Sequence, residues 1–136
     1  MNEIRLEYFF LPIYLQLQSN PGSEDVVVDQ RTILGTFEFL RLPVQAAFHF
    51  AALLEQGADN ASSTPVVDGD VGEISGIFVR KLGTGSIRVG LSVKRAGSIR
   101  LAIYTTVGRK RHRSRPKISV SEARRFATFL RQANAN

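Results

Sequence analysis

A chain of 136 residues and 15.1 kDa has the size of one ordinary domain, or of two very small fused ones. Hydrophobic residues make up 43% and charged residues 22%, which excludes a wholly disordered chain, while 11 Gly and 5 Pro exclude a collagen-like or linker protein. The absence of Cys removes disulfides, thiolate metal ligands and Cys nucleophiles together, and the net charge of +6 turns attention to polyanionic partners.

The first segment, Ile4 to Gln18, is rich in aromatic and branched residues and alternates apolar with polar from Tyr14 to Gln18, which predicts strand. Pro12 predicts an edge position or a bend there, because it donates nothing to a ladder. The apolar run from Tyr8 to Leu15 is far shorter than the roughly 20 residues of a membrane-spanning helix. Glu3, Arg5 and Glu7 precede it, unlike the cationic start of a signal peptide. A soluble, cytoplasmic protein is expected, with nucleoid association as one form of it. A turn signal at Ser19 to Ser23 precedes two further expected strands, Val26 to Val28 and Thr32 to Leu40.

The period then changes. Pro43 suits a first helical turn, and Val44, Ala47, Phe48, Ala51 and Leu54 recur at helical spacing, with Gly57 placed as a C-terminal stop. Ala58 to Thr64 reads as a polar linker. Three more strands are expected at Ile74 to Leu82, Ser86 to Lys94 and Ser98 to Val107, joined by short Gly-containing turns. The basic run Arg109 to Lys117 reads as a loop in the place of a last hairpin. It leads to a helix that Ser119 and Glu122 start as a capping box, with Ala123, Phe126, Ala127 and Leu130 on its inner stripe.

Charge is divided along this plan. Residues 1–73 hold three basic and eleven acidic side chains, a net −8, whereas residues 74–136 hold fifteen basic ones and the single acid Glu122, a net +14. A half that basic repels itself and calls for a polyanion or an acidic surface to face. The two helices also align. Leu42 to Gln56 set above Ile118 to Gln132 without a gap share six of fifteen positions, including Phe50 with Phe126 and Ala51 with Ala127. Two amphipathic helices facing one core would share some of these by composition alone. The Phe-Ala pair and the terminal Gln in one register favour duplication: repeat one over residues 1–57, a linker over 58–71 and repeat two over 72–136 of a single domain.

A tandem sheet-then-helix chain with a basic half resembles the Whirly, Pur-alpha and positive-cofactor-four superfamily of single-stranded nucleic-acid-binding proteins. The likeness is clearest over residues 72–132, where Gly72 to Lys94 looks like the Whirly second-repeat hairpin and Ile118 to Ala123 like the start of its helix. The Lys-Gly-Lys-Ala-Ala-Leu motif of plant Whirly proteins is absent, and the first repeat has only about 40 residues before its helix. The resemblance implies an α+β fold of tandem antiparallel sheet-plus-helix repeats (ββββα-like, twice), with the two helices packed between or behind the sheets. It also implies homo-oligomers and single strands lying across the sheets.

Candidate binding residues follow from strand parity. Arg88, Lys94 and Arg100 alternate with the apolar rows, small residues lie between them, and Tyr104 shares the face of Arg100 as a platform for a base. Phe78 shares the face of Arg80 in the same way. Arg109, Lys110, Arg111, Arg113 and Arg115 belong to the basic run, which holds six Lys/Arg in nine residues and would neutralise phosphates. No catalytic, metal or cofactor site is expected. His49 sits in a helix, on its polar flank, and His112 in the basic run, without an acid and a Ser at a recognisable spacing. Asp68, Asp70 and Glu73 lack the spacing of a calcium loop, and no Gly-rich phosphate loop opens a helix. Single-stranded DNA or RNA binding with low sequence specificity is the expectation. The alternative is a small interaction subunit whose basic half docks on an acidic partner.

Overall fold

Alternating branched and polar residues build strands and two stripes of Ala, Leu and Phe build helices in a computed structural model that describes residues 3–8, 11–18, 24–33, 35–80 and 83–133. The order is β1 (Glu3–Tyr8), β2 (Leu11–Leu17), β3 (Asp25–Thr32), β4 (Gly35–Pro43) and α1 (Val44–Ser62). It continues with β5 (Gly69–Arg80), β6 (Gly83–Val93), β7 (Ile99–Val107), β8 (Lys110–Ser114), β9 (Lys117–Ile118) and α2 (Val120–Gln132). The fold is α+β, and every strand pair is antiparallel. The short first segment does hold four strands before its helix. It fits them because β1 and β2 are separated by only two residues and β3 and β4 by two more.

The strands are not two separate sheets. They form one hydrogen-bonded sheet in the order β6-β5-β4-β3-β2-β1-β9-β7-β8, and β6 also pairs with β7, which closes the ring. Two meanders, β1–β4 and β5–β8, supply the long ladders. The joins are slight: Arg41 opposite Ile77 links β4 to β5, and Lys117 of β9 lies opposite Glu7 of β1 and Arg100 of β7. At the first join a Cβ on Gly76 would stand 2.8 Å from Leu40 and Leu42 and 2.9 Å from the Arg41 carbonyl oxygen. Only glycine lets the two meanders approach that closely. Pro12 sits in β2 opposite Glu7, beyond the last β2–β3 pair at Tyr14 and Arg31, where no ladder bond is lost.

The helices pack together against the inner faces of the strands. Phe50 and Phe126 are both buried and meet edge to face, with centroids 5.2 Å apart. Ile4, Leu6, Leu15, Val28 and Leu40 from the first meander and Ile87, Val89, Leu91, Ile99 and Leu101 from the second complete the same core. His49 is exposed, as its polar flank implies.

Two helix readings need correction, and the strand expected over Thr32 to Leu40 is divided, Thr32 closing β3 and Gly35 opening β4. Helix α1 does not stop at Gly57 but runs on to Ser62, through most of the stretch read as a linker. Ala58 and Ala61 extend the buried stripe by a turn, and Gly57 is a point of close packing, since a Cβ there would lie 2.6 Å from Leu91 Cδ2. The hydroxyls of Ser62 and Ser63 donate back to the carbonyls of Ala58 and Asp59 in the last turn of α1, and the Asn60 carbonyl, which the helix end leaves open, accepts from the Val67 N–H. The capping box is half as expected: Ser119 Oγ accepts from the Glu122 N–H at 3.1 Å. The Glu122 carboxylate instead accepts from the Arg5 backbone N–H at 2.7 Å. It thereby covers the edge of β1 beside the two-residue β9, where a free strand edge would otherwise be exposed.

Candidate functional site

The second meander presents its outer face to solvent, and cross-strand register decides which side chains meet there. Directly opposed residues share a face. Ser75, Arg88, Tyr104 and Arg113 form one row across β5, β6, β7 and β8. Ile77, Ser86, Thr106 and Arg111 form the next row toward one end. Toward the other end, Gly90 lies opposite Glu73 and Ala102, and beyond them Ser92, Arg100 and Lys117 stand in line. The Arg88 and Arg100 rows are four residues apart along the strand, about 13 Å. Between them the floor is nearly bare backbone at Gly90 and Ala102.

Tyr104 is the centre of this face. The Arg88 guanidinium carbon lies 4.7 Å from its ring centroid, a cation–π geometry, and Arg113 flanks the ring from β8. A groove of about 500 Å³ runs past them, lined by Ser75, Ser86, Arg88, Tyr104, Arg111 and Arg113 among others. The basic run read as a loop is the reason these residues converge. Gly108, at φ 59°, turns the chain so that Lys110–Ser114 returns along β7 as β8, and Lys117–Ile118 continues the pairing as β9. Arg111 and Arg113 therefore join the face of Tyr104, whereas Lys110 and His112 alternate onto the other side of β8. Arg109 stands in the turn, and Arg115 lies exposed between β8 and β9, where its carbonyl accepts from Arg100 Nη1 at 3.1 Å. Lys94 lies just past β6 in the hairpin turn, so it borders the platform without standing in its rows. Arg80 and Phe78 lie in β5, but their side chains fall outside the described residues.

The charge imbalance is resolved unevenly. On α2, Arg124 reaches Asp59 at 2.8 Å and Arg131 reaches Glu55 at 2.7 Å, both across the helix pair, while Arg125 pairs with Glu122. Arg95 and Asp68 approach to 3.6 Å and Arg88 and Glu73 to 3.4 Å. Among the described residues no ion pair reaches Lys94, Arg100, Arg109, Lys110, Arg111, Arg113, Arg115 or Lys117. Acids of the first half thus neutralise Arg124 and Arg131, Glu122 takes Arg125, and the cations of β7, β8 and β9 are left without an ion pair among the described residues.

Sequence reasoning did not single out Lys117 or Glu73 for this face. Lys117 was readable only as one more residue of the run until β9 placed it opposite Arg100. It also missed a second cluster on the first meander. There Arg31 lies over Tyr14, 4.9 Å from the ring centroid, and both Glu3 oxygens hold Arg31 Nη2 at 2.9 Å.

No protein-family model matches the chain, and no curated protein matches it either. Among the described residues, no helix is long and apolar enough to cross a membrane.

Proposed function

We propose that this protein binds single-stranded DNA or RNA, with low sequence specificity, across the outer face of β5–β8. One observation carries the reading: most of the cations that, among the described residues, find no carboxylate partner gather around a half-buried tyrosine on an open sheet face. Phosphates would be met by Arg88, Arg100, Arg111, Arg113 and Lys117, with Lys94, Arg109, Lys110 and Arg115 at the margins. A base would stack on Tyr104, and the small residues between the rows leave room for a strand. Affinity of this kind tolerates any sequence, because every base has a π-face and every nucleotide a phosphate.

The test is a fluorescence-anisotropy titration with single- and double-stranded oligonucleotides over a range of salt. Single strands should bind tighter than duplex, with log Kd linear in log salt. Binding absent at low salt would leave the basic face to an acidic protein surface. Equal binding of duplex would reduce the site to a basic patch.

We further read the chain as two copies of one strand-meander-plus-helix unit. The aligned positions support it: Ala47, Phe50, Ala51 and Leu54 are the buried positions of α1 that correspond to Ala123, Phe126, Ala127 and Leu130, the buried positions of α2. Self-association belongs to the same proposal. Leu11, Ile33 and Phe37 are 62%, 91% and 50% exposed at one end of the first meander, and Phe9 and Phe10 of the aromatic run lie outside the described residues. Light scattering at micromolar concentration should give at least twice the 15.1 kDa chain mass, and a monomer would refute assembly.

A further inference from the structure

The two meanders carry the same three side-chain types in contact, but hold them differently. On the first, Glu3 grips Arg31 with both oxygens at 2.9 Å, Glu3 is only 21% exposed, and Arg31 covers Tyr14. On the second, Glu73 reaches Arg88 through a single 3.4 Å approach with both side chains about half exposed, at 52% and 53%, and Arg88 covers Tyr104. The first cover is clamped by both Glu3 oxygens, with Arg5 of β1 opposite Tyr14 in the same row. The second is weakly tethered and faces Arg111 and Arg113, which repel it.

A guanidinium 4.7 Å from a ring centroid occupies the space a stacked base would take on that face of the ring. We infer that Arg88 is a displaceable cover on Tyr104 and that Glu73 is the tether setting how readily it opens: an incoming nucleobase takes the guanidinium's place on the ring, and the released Arg88 turns to the strand's phosphate. Glu73 is well placed for that part, because it stands in the Gly90–Ala102 row, on the bare floor along which the strand would run. Its carboxylate opposes binding in two ways: it holds the cover shut and it repels phosphate. The nucleobase of a single strand is the ligand class, since a duplex does not offer an unstacked π-face. The inference rests on the platform reading above and adds to it a residue that limits affinity.

The experiment compares the full-length wild type, Glu73→Gln and Asp70→Asn in titrations of a fluorescein-labelled 15-nucleotide oligothymidylate against salt. Asp70 is a neighbouring exposed acid of β5 with no ion pair among the described residues, so its neutralisation reports loss of repulsion alone. Glu73→Gln should bind about two- to fivefold tighter than wild type, the range a surface ion pair commands. Its salt slope should stay within about 0.3 of the wild type, because the released Arg88 meets a phosphate in both. Asp70→Asn should gain less affinity than Glu73→Gln. If the wild type binds and Glu73→Gln gains no more than Asp70→Asn, the base reaches Tyr104 without moving Arg88 and the cover is refuted while the platform stands. If the wild type does not bind the oligonucleotide even at low salt, the platform reading fails and the cover falls with it.

Discussion

Replacing Phe126 with Ala is expected to lower the unfolding free energy by about 3–5 kcal/mol, the range for emptying a fully buried aromatic site. Its ring is 0% exposed and meets Phe50 edge to face at 5.2 Å, in the middle of the helix pair. A domain of this size is stable by only about 5–15 kcal/mol, so the change should move a urea midpoint far or leave the chain partly unfolded. Phe50→Ala should cost about as much, since that ring is 1% exposed and supplies the other half of the pair. The double variant should cost less than the sum of the singles, by about 0.5–1.5 kcal/mol, because the ring–ring attraction can be removed only once. Urea denaturation of the three variants measures all of these. A loss below about 1 kcal/mol for either single change would mean that the helix pair is not the core and would remove the main support for equivalent repeats.

The largest expected effects on binding separate stacking from charge. Tyr104→Ala should weaken single-strand affinity by about 1–3 kcal/mol with little change in salt slope, because a stacked base releases few counterions. Removing charge at Arg88, Arg100, Arg111 or Arg113 should weaken binding to every sequence alike and lower the slope by about 0.7 for each phosphate no longer neutralised. Lys94 should follow the same rule with a smaller effect, since it stands beyond the rows of the face. Arg5, Arg31 and Arg41 should matter less still: Arg31 is held by Glu3 and Arg41 pairs with Glu38 at 2.8 Å. Anisotropy titrations at several salt concentrations report both quantities. A dominant effect from the first half would overturn the assignment of the site to the basic meander.

Strand and helix periodicity carried most of the architecture in the sequence itself. The alternation Ile87, Val89, Leu91, Val93 against Arg88, Gly90, Ser92 names the inner and outer faces of β6 without any partner strand, because successive side chains must point to opposite sides. The stripe Ala123, Phe126, Ala127, Leu130 likewise names the buried face of α2, as 3.6 residues per turn require. The −8 and +14 halves were also visible in the sequence, and so was the placement of Arg88, Arg100 and Tyr104 on outward positions.

What the sequence left open depends on the meeting of distant residues. Gly57 reads as a helix stop from its neighbours, yet the packing of Ala58 and Ala61 beneath it outweighs a glycine's cost of roughly 1 kcal/mol and carries the helix on to Ser62. The run Arg109 to Lys117 reads as a loop because its charges hide the alternation of a strand, and only pairing with β7 makes it β8 and β9. Joining both meanders into one sheet depends on two slight contacts, the β4–β5 pair beside Gly76 and the bridging of β1 and β7 by β9, neither of which local periodicity encodes. Which cations stay uncompensated was the last matter that tertiary structure alone decided. Asp59 and Glu55 lie 65 and 76 residues from the arginines they neutralise, and the crossing of α1 with α2 brings them together, leaving the charge of β7, β8 and β9 facing outward.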